Sequence, residues 1–476
     1  MRLLLTFLVW LSALAAPAFD YPRLRPLQTY YVSSSEGNDA NPGTISRPLR
    51  SLSALSAPQR RDANILLRRG DVFFESLHDF EGCNIDAYGH GESPVVCGFL
   101  ILEDSTAWQS VEDSIWRLDL LNERYFSGFM PTQSTNRQTY TAVGMIYHPA
   151  SATIFGRLQQ HRDSLLRDGD YWQTSEYLPA RLRPDSFRYL CFRSSTPPAS
   201  LGRLCLSVAE HGVWGLVNCR LANISVVGFA RHGMTRLYDT LVEDCKVDMI
   251  GGSVLLGFKH WSRYGNGIEL NVSGTSPSRN VMVRRCQVTR TFDSGLTIQG
   301  TNRVYSNAVG MHFVNNRVAY CRQGFEWYLV APDDFDPSYS DCSLEDNLFF
   351  ENGNNGFGLM PQGNECQLLS YEHRDKALTI TGNTFYGASY YCGYRFGPGR
   401  TDNTVYIWRG SYLNGWIGYK AYRAIYADTA EDAAAYKARS GEQCQIHILD
   451  KDSAEDRSVR QRLLKTLALH FPSLNI

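Results

Sequence analysis

Two glutamates stand at matching positions in a short pattern that recurs along the chain. Gly267-Ile268-Glu269, Gly295-Leu296-Thr297 and Gly324-Phe325-Glu326 each place an apolar residue after glycine and a polar residue next. If these segments are successive strands, alternation turns the apolar residues inward and the polar residues outward. Glu269 and Glu326 would then lie about 10 Å apart between backbones. Their carboxyl groups can converge to the roughly 6.5–9.5 Å of an inverting glycosidase, in which one acid protonates the leaving oxygen and the other carboxylate activates water.

A third carboxylate falls between these two glutamates. Asp293 lies two residues before Gly295, so it can complete an acidic cluster on the intervening segment. Neighbouring negative charges raise the pKa of one carboxyl group, as a general acid requires. The predicted catalytic residues are therefore Glu269, Glu326 and Asp293. The competing interpretation is that these side chains form only a solvated polar face.

Aromatic and cationic side chains flank the carboxylates and indicate a saccharide cleft. A polar, aromatic segment from Lys259 to Asn266 precedes Gly267, and Arg395 follows Gly393 at the position that Glu269 and Glu326 occupy in their segments. Trp327 alternates with Glu326 and is expected to point inward. The predicted substrate contacts are His260, Trp261, Arg263, Tyr264, Asn266, Gln299, Tyr328 and Arg395.

Metal chemistry has weak support in the sequence. The acidic loop Asp333-Asp334-Phe335-Asp336 offers oxygen ligands of the kind that Ca²⁺ takes, but a solvated turn is the alternative. Cysteine and histidine show no spacing typical of a zinc site. We expect no cofactor and no metal at the site, with calcium as the alternative.

Two other classes of function remain open. A polysaccharide lyase would remove the proton next to a uronate carboxyl group, using a base such as Lys259, His260, Arg263, Tyr264 or Arg395. No ladder of adjacent aspartates typical of calcium-dependent lyases is present, which favours hydrolysis. A non-catalytic glycan-binding solenoid is the third interpretation, and it would tolerate replacement of both glutamates by glutamine.

The elements that must position these residues follow from a longer repeat. Five segments share Cys or Asn, then Val or Phe two residues later, then Gly seven to ten residues after the Cys or Asn. They begin at Cys245, Cys286, Asn316, Asn347 and Asn383, at spacings of 41, 30, 31 and 36 residues. Self-similarity at about thirty residues is typical of a solenoid. Short alternating runs and the lack of a helical period indicate coils of β-strands.

The two repeated columns have different expected uses. Stacked Asn side chains can hydrogen-bond turn amides and one another, forming a ladder between coils. Cys fits the same position as a small buried apolar residue. Gly in the second column is expected to allow a sharp turn at positive φ.

These features resemble the right-handed parallel β-helix superfamily, the pectin-lyase-like fold. The opening block from Tyr30 to Thr44, the segment Leu67–Phe73 and the segment Ile85–Gly91 are similar to the first coils of many secreted members. The resemblance covers roughly residues 28 to 410. It implies an all-β solenoid but not one chemistry, since the superfamily includes polysaccharide lyases, glycoside hydrolases, epimerases and non-catalytic proteins.

The repeat also predicts the domain organisation. Residues 28–418 are expected to form one β-helix domain with an irregular insertion at about 145–205, and residues 419–476 a C-terminal capping segment. In the cap, Thr429 followed by Glu431 and Asp432 predicts the start of a helix. A cap of this kind protects the open strand edges at the end of a solenoid.

The start of the chain and its composition bear on location and partners. Met1-Arg2, an apolar run to Leu11 and small residues through Ala18 predict a cleaved signal peptide over residues 1–18, hence a secreted or periplasmic protein with no membrane span.

With 47 basic and 48 acidic residues there is no overall charge that favours nucleic acid. The 12 cysteines are scattered, so few disulfides are expected. The expected partner is a polysaccharide or oligosaccharide substrate. The favoured activity of the protein is that of a glycoside hydrolase.

Overall fold

The structure is a computed structural model of a chain of 476 residues. The residues that it describes are 22, 24–102, 107–120, 122, 142–174, 188–254, 263–273, 277–300, 306–330, 335–353, 366–370, 378–387, 391–394, 400–415, 425–440 and 443–468. The proposed signal peptide, His260, Trp261, Asp333, Asp334 and Arg395 lie outside these ranges.

The chain winds into coils whose strands stack in three parallel sheets. Each coil adds one strand to sheet 1, then to sheet 2, then to sheet 3, and some long strands bend from one sheet into the next. Sheet 1 contains Leu77–Glu81, Val213–Val217, the first part of Met234–Glu243, Ile268–Asn271, Ser294–Gly300, Gln323–Leu329, Cys366–Ser370, Tyr391–Tyr394 and Tyr412–Gly415, with Ile425–Tyr426 added antiparallel.

Sheets 2 and 3 complete the coils. Sheet 2 contains Gln28–Val32, Ala63–Arg68, Asn84–Tyr88, Arg220–Ala222, the rest of Met234–Glu243, Arg279–Arg284, Ala308–Val314, Tyr339–Glu345, Thr379–Thr381 and the first parts of Arg400–Trp408 and Gln443–Leu449. Sheet 3 contains Val72–Phe73, Val95–Cys97, Ser225–Val227, Lys246–Ile250, Gln287–Thr291, Arg317–Ala319, Leu348–Phe350, Thr384–Tyr386 and the later parts of Arg400–Trp408 and Gln443–Leu449. The prediction of a parallel β-helix is confirmed.

An insertion of antiparallel strands interrupts the early coils. Its four-stranded sheet contains Phe99–Leu102, Ile146–His148, Thr153–Phe155 and Leu204–Ser207, and its five-stranded sheet contains Trp108–Glu112, Ile115–Asp119, Arg157–Leu158, Asp170–Thr174 and Tyr189–Arg193. It therefore begins at Phe99, well before the predicted boundary near residue 145. A further two-stranded ribbon joins Ser253–Val254 to Arg263–Tyr264.

Helices are short and lie mainly near the C-terminal end. The α-helices are Pro198–Leu201, Ala430–Ser440 and Ala454–Leu467, and the 3₁₀ turns are Pro58–Arg60, Pro149–Ser151 and Arg162–Ser164. Thr429 caps the second α-helix as predicted, since its hydroxyl accepts a hydrogen bond from the Asp432 amide at 3.2 Å. The predicted cap also contains a coil strand, Gln443–Leu449, which pairs with Arg400–Trp408 along sheets 2 and 3. None of the helices in the described ranges is long and apolar enough to cross a membrane.

The predicted ladder of asparagines is present and runs one coil further than the repeat indicated. Asn316, Asn347 and Asn383 each donate a side-chain hydrogen bond to the side-chain oxygen of the next ladder residue at 2.9–3.0 Å, ending at Asn403. Upstream, Cys286 occupies the same position and its amide donates to Asn316. Eleven cysteines, from Cys83 to Cys444, are buried as thiols that form no disulfide bond. Thus one column of buried side chains fixes the stacking of successive coils.

The glycine column has a different cause from the one expected. Gly267, Gly295 and Gly324 do not adopt a positive φ. A Cβ atom at Gly267 would lie 2.4 Å from Val288 Cγ1, and one at Gly295 would lie 2.4 Å from Val318 Cγ1. Glycine is therefore needed because sheet 3 packs against this corner too closely for a side chain.

Replacing Asn347 with alanine is expected to destabilise the solenoid by about 3 kcal/mol, because the change strands several buried polar groups. The Asn347 side chain donates to Phe313 O and Asn383 Oδ1 and accepts two hydrogen bonds from Asn316. Thermal and urea unfolding measure the loss. The matched variant Asn347→Cys should lose less, since cysteine fills this position in earlier coils. Equal stability of the alanine variant and the wild type would contradict the role of the ladder.

Candidate active site

The predicted register of the carboxylates is confirmed. Glu269 pairs with Thr297, and Thr297 pairs with Glu326, on three consecutive strands of sheet 1. The residues before them, Ile268, Leu296 and Phe325, point into the core. The same outward column contains His78, Trp214 and Thr235 upstream and Leu369 downstream. We call it the post-glycine column.

These outward side chains are enclosed rather than solvated. The exposed fractions are 3% for Glu269, 0% for Thr297 and 6% for Glu326. A second outward column covers one side of them. It consists of the residues immediately before the column glycines, and we call it the pre-glycine column: His211, His232, Asn266, Ser294 and Gln323. The interpretation of a merely solvated face does not hold for this part of sheet 1.

Glu269 is held by more hydrogen-bond donors than any other carboxylate in the acidic cluster, which we define as Glu269, Asp293 and Glu326. A carboxylate offers about four acceptor sites, so the four donors around Glu269 saturate it. The donors are Gln299 Nε2 at 2.6 Å, Thr235 Oγ1 at 3.0 Å, Asn266 Nδ2 at 3.1 Å and Asn271 Nδ2 at 3.2 Å. Burial raises the pKa of Glu269, while the hydrogen bonds from Asn271, Asn266 and Thr235 lower it. Four donors are complementary to the ionised form.

The tautomer of His232 follows from its partners. Its Nδ1 accepts a hydrogen bond from the Asn266 amide at 3.1 Å, so the proton lies on Nε2, which faces Glu269. Burial, followed by the charges of Arg231 and Arg236, lowers the pKa of His232 to about 3. His232 is therefore a neutral imidazole 3.2 Å from Glu269 Oε2 rather than a cation paired with it.

Glu326 has the opposite protonation preference. Burial raises its pKa well above the ordinary range, and the charge of Asp293 raises it further. The hydrogen bond from Ser294 lowers the pKa, and the charges of Glu269 and Arg322 raise and lower it by smaller amounts. The Ser294 hydroxyl donates to Glu326 Oε2 at 3.3 Å and lies 3.0 Å from Gln323 Oε1, so its single hydrogen is shared between two acceptors.

Asp293 is the carboxylate with open acceptor positions. No hydrogen bond or ion pair joins its side chain to any residue in the described ranges. Burial raises its pKa and Glu269 raises it further, whereas Arg322 lowers it. Its oxygens can therefore accept a hydrogen bond from a water molecule or a substrate hydroxyl group, unlike those of Glu269.

The predicted contact residues divide into three groups. Asn266 and Gln299 bind Glu269, and the Tyr328 hydroxyl donates to Gln299 Oε1 at 3.1 Å. Tyr264 lies edge-on to His232, with ring centroids 5.3 Å apart, and lines a groove beside Glu269. His260, Trp261 and Arg395 lie outside the described residues.

Arg263 makes contacts that differ from those expected of a substrate ligand. Its guanidinium group donates to the carbonyl oxygens of Gly252, Gly144 and Gly156 at 2.6–2.8 Å and lies over the Phe292 ring. These bonds tie the insertion to the coil at Gly252. Three backbone carbonyl oxygens therefore already use its hydrogen-bond donors, so these donors serve the protein rather than a sugar.

Sequence reasoning missed the upstream half of the site. A groove of about 610 Å³ lies along sheet 1 on the upstream side of Glu269. Its walls include Glu210, His211, Trp214, Arg231, His232 and Arg236. The signal was available in the sequence, because His211-Gly212 and His232-Gly233 extend the glycine column by two coils. These two coils were not recognised because their glycines are closer together in the sequence than the roughly thirty residues of the repeat.

No group of three or more His, Cys, Asp or Glu side chains in the described part of the chain is arranged to hold a metal ion. The loop considered for calcium is described only from Phe335 onward. Its use of calcium stays an untested alternative.

Glu269→Gln is expected to lower the pKa of Glu326, because it removes one of the two negative charges that raise it. A ¹³C titration of the side-chain carboxyl groups measures this shift without any substrate. Glu345→Gln, on sheet 2, is the control. An unchanged Glu326 titration in the Glu269→Gln variant would show that burial alone controls Glu326.

Comparisons with known proteins identify no family for this chain. It matches no protein-family model and no curated protein sequence. Among solved structures, XylC in complex with xylose aligns at 10% identity and a TM-score of 0.43, covering 88% of this chain and 82% of that one. GH136 lacto-N-biosidase from Eubacterium ramulus aligns at 14% identity and 0.40, covering 89% and 68%. The pectate lyase Pel9A aligns at 13% identity and 0.41, covering 90% and 79%. Likeness at this level does not identify a reaction.

Proposed function

We propose that this protein is a carbohydrate-active enzyme, and specifically a glycoside hydrolase that acts on a polysaccharide or oligosaccharide. The observation that carries the proposal is a buried Glu326, whose pKa its surroundings raise, together with an Asp293 carboxylate that accepts no protein hydrogen bond in the described ranges. An acid and a base with separated pKa values are what cleavage of a glycosidic bond needs.

The roles follow from the hydrogen bonds and charges. Glu326 is the general acid, since a carboxyl group whose pKa is raised well above the ordinary range can give its proton to the leaving glycosidic oxygen. Asp293 is the general base, because its oxygens can accept a proton from an attacking water molecule. Glu269, saturated by four donors, is a fixed negative charge that raises the pKa of Glu326 and Asp293. This assignment differs from the Glu269–Glu326 pair predicted from the sequence.

Substrate contacts are proposed for both sides of the cluster. Gln299 and Tyr328 form a hydrogen-bonded pair next to Glu269 and present amide and hydroxyl groups suited to sugar hydroxyls. Tyr264 and Trp214 line the upstream groove, where aromatic rings can contact sugar rings. Residues 1–18 carry the export signal in this proposal, which places the enzyme with extracellular or periplasmic glycans.

A glycan panel tests the proposal. Purified mature protein is incubated with plant, algal and host glycans, and both new reducing ends and the ultraviolet absorbance of unsaturated uronates are measured. New reducing ends without that absorbance support a hydrolase, and absorbance identifies a lyase instead. Retention of glycans on an affinity column with no cleavage of any substrate would favour a binding solenoid.

A further inference from the structure

We propose that Trp214 and Arg236 form a remote sugar subsite that makes this protein prefer long glycan chains. The inference rests on the proposed function and deepens it, because it adds residues that determine which substrates are cleaved well. The subsite lies on sheet 1, upstream of the acidic cluster. Both residues belong to the wall of the groove beside Glu269.

The groove beside Glu269 continues toward the N-terminal end of the solenoid. A second groove of about 590 Å³ adjoins it, since Asp79 and Gly215 line both. Together the two grooves run along four consecutive strands of sheet 1, from Ile268–Asn271 back to Leu77–Glu81. A depression of this length suits a chain of sugars rather than a single unit.

Several polar side chains in the wall of the first groove are engaged by other protein groups. Glu210 forms an ion pair with Arg231. Thr235 and Asn271 both donate hydrogen bonds to Glu269 Oε1, at 3.0 and 3.2 Å. These side chains shape the groove, and their hydrogen bonds are directed at the protein.

Arg236 and Trp214 differ from these residues because their donors are open. Arg236 is exposed, and its guanidinium group forms no hydrogen bond or ion pair with any residue in the described ranges. The indole Nε1 of Trp214 likewise donates to no group in the part of the chain that the structure describes. Both side chains carry N–H donors and no acceptor. The oxygen atoms of a sugar unit are acceptors that fit them.

The two side chains are held in a fixed arrangement. The Trp214 ring stacks on His78, with centroids 4.8 Å apart and planes 8° from parallel. The Arg236 guanidinium group lies over the Trp214 ring, 6.0 Å from its centroid, at the outer limit of a cation–π contact. Donors that are already ordered lose little freedom when a ligand binds, which favours affinity.

A gap beside Trp214 gives a sugar hydroxyl group room to bind. The register of the three upstream strands places Gly215 between Asp79 and Arg236. A Cβ atom at Gly215 would lie 2.9 Å from Asp79 Oδ1, so glycine leaves this space empty. The Asp79 side chain is 35% exposed. A hydroxyl group both donates and accepts, so it matches a gap with a carboxylate on one side and a guanidinium group on the other.

The position of the subsite sets the length of chain that can reach it. Trp214 pairs with Thr235, which places it two strand spacings upstream of Glu269 and four upstream of Glu326. At about 4.8 Å per spacing, the backbone of the proposed general acid is roughly 19 Å away. One sugar unit at the cleavage site does not span that distance. Only longer chains gain the remote contacts, and such binding energy raises kcat/KM.

A size series of the most active glycan tests the subsite. The full mature protein and its Arg236→Gln variant are assayed on oligosaccharides of increasing length and on an aryl glycoside. A hydrogen bond to a charged group contributes about 10–100-fold to binding, so Arg236→Gln should lose about that much kcat/KM on chains that reach the subsite. The loss on the aryl glycoside should be much smaller, since it reports only the effect of the arginine charge on Glu269.

Two further variants control the result. Trp214→Ala should show the same dependence of the loss on chain length. Arg279→Gln replaces an exposed arginine on sheet 2 and should keep wild-type rates at every length. Melting temperatures check that each variant folds. An equal loss on all lengths in Arg236→Gln, or a wild-type kcat/KM that does not rise with chain length, would overturn the inference alone.

Binding measurements separate this inference from the proposed function. Titration calorimetry of long oligosaccharides into Glu326→Gln, with and without Arg236→Gln, measures the subsite without cleavage. A wild type that cleaves no glycan overturns the proposed function. The subsite is then still supported if Arg236→Gln weakens the binding of long chains, and it is overturned if long chains do not bind or bind equally well to both proteins.

Discussion

Glu326→Gln is expected to reduce kcat by about 10²–10⁴-fold on natural glycans, the usual contribution of a general acid. Glutamine keeps the size of the side chain and its contact with Ser294, but it has no proton that can be transferred to a leaving oxygen. Substrate binding should change little, so the loss should fall on kcat rather than on KM. Steady-state kinetics on the most active glycan measure the effect.

The dependence of the rate on the leaving group identifies the role. The variant should recover on aryl glycosides whose leaving groups need no protonation, because the missing step is then unnecessary. The alkaline limb of the pH profile, which in the wild type reports loss of the Glu326 proton, should disappear in the variant. Glu345→Gln on sheet 2 should keep wild-type rates. Near-normal turnover of Glu326→Gln on unactivated glycans would remove Glu326 from catalysis.

Asp293→Asn is expected to cause a loss of similar size, about 10²–10⁴-fold in kcat, because the attacking water would have no base. Asparagine keeps the volume of the side chain, and the open position of Asp293 means that few protein contacts change. Azide, which attacks without losing a proton, should restore turnover and yield a glycosyl azide. Product analysis by mass spectrometry detects this adduct.

The same variant decides between the two assignments of the base. If Asp293→Asn keeps wild-type activity while Glu269→Gln loses it, Glu269 is the base that the spacing of the sequence indicates. We expect the reverse order, since the lone pairs of Glu269 are occupied. In the wild type the acidic limb should lie above the ordinary titration range of an aspartate, near pH 3.9, because the pKa of Asp293 is raised by burial and by Glu269.

The sequence was sufficient for the winding of the chain and for the register of Glu269, Thr297 and Glu326. Both depend on features that repeat at each coil: alternation along a strand, an Asn or Cys position, and a glycine at one corner. Repetition makes such features recognisable, because the pattern shared by several coils identifies a position even where one coil departs from it. The Asn316, Asn347 and Asn383 column behaves as predicted for this reason.

The division of roles within the acidic cluster was decided only by the tertiary structure. Which carboxyl group stays protonated depends on burial and on donors that come from other coils, such as Thr235 and Gln299 on either side of Glu269. Arg263 illustrates the same limit, since only the folded chain brings the carbonyls of Gly144 and Gly156 to its guanidinium group. Contacts that occur at one position only and do not recur from coil to coil, such as those of Arg263, leave no periodic trace in the sequence. The local pattern in the sequence therefore determined that the acids share the outer face of sheet 1. Burial and the hydrogen bonds of the folded chain determine which of them is ionised.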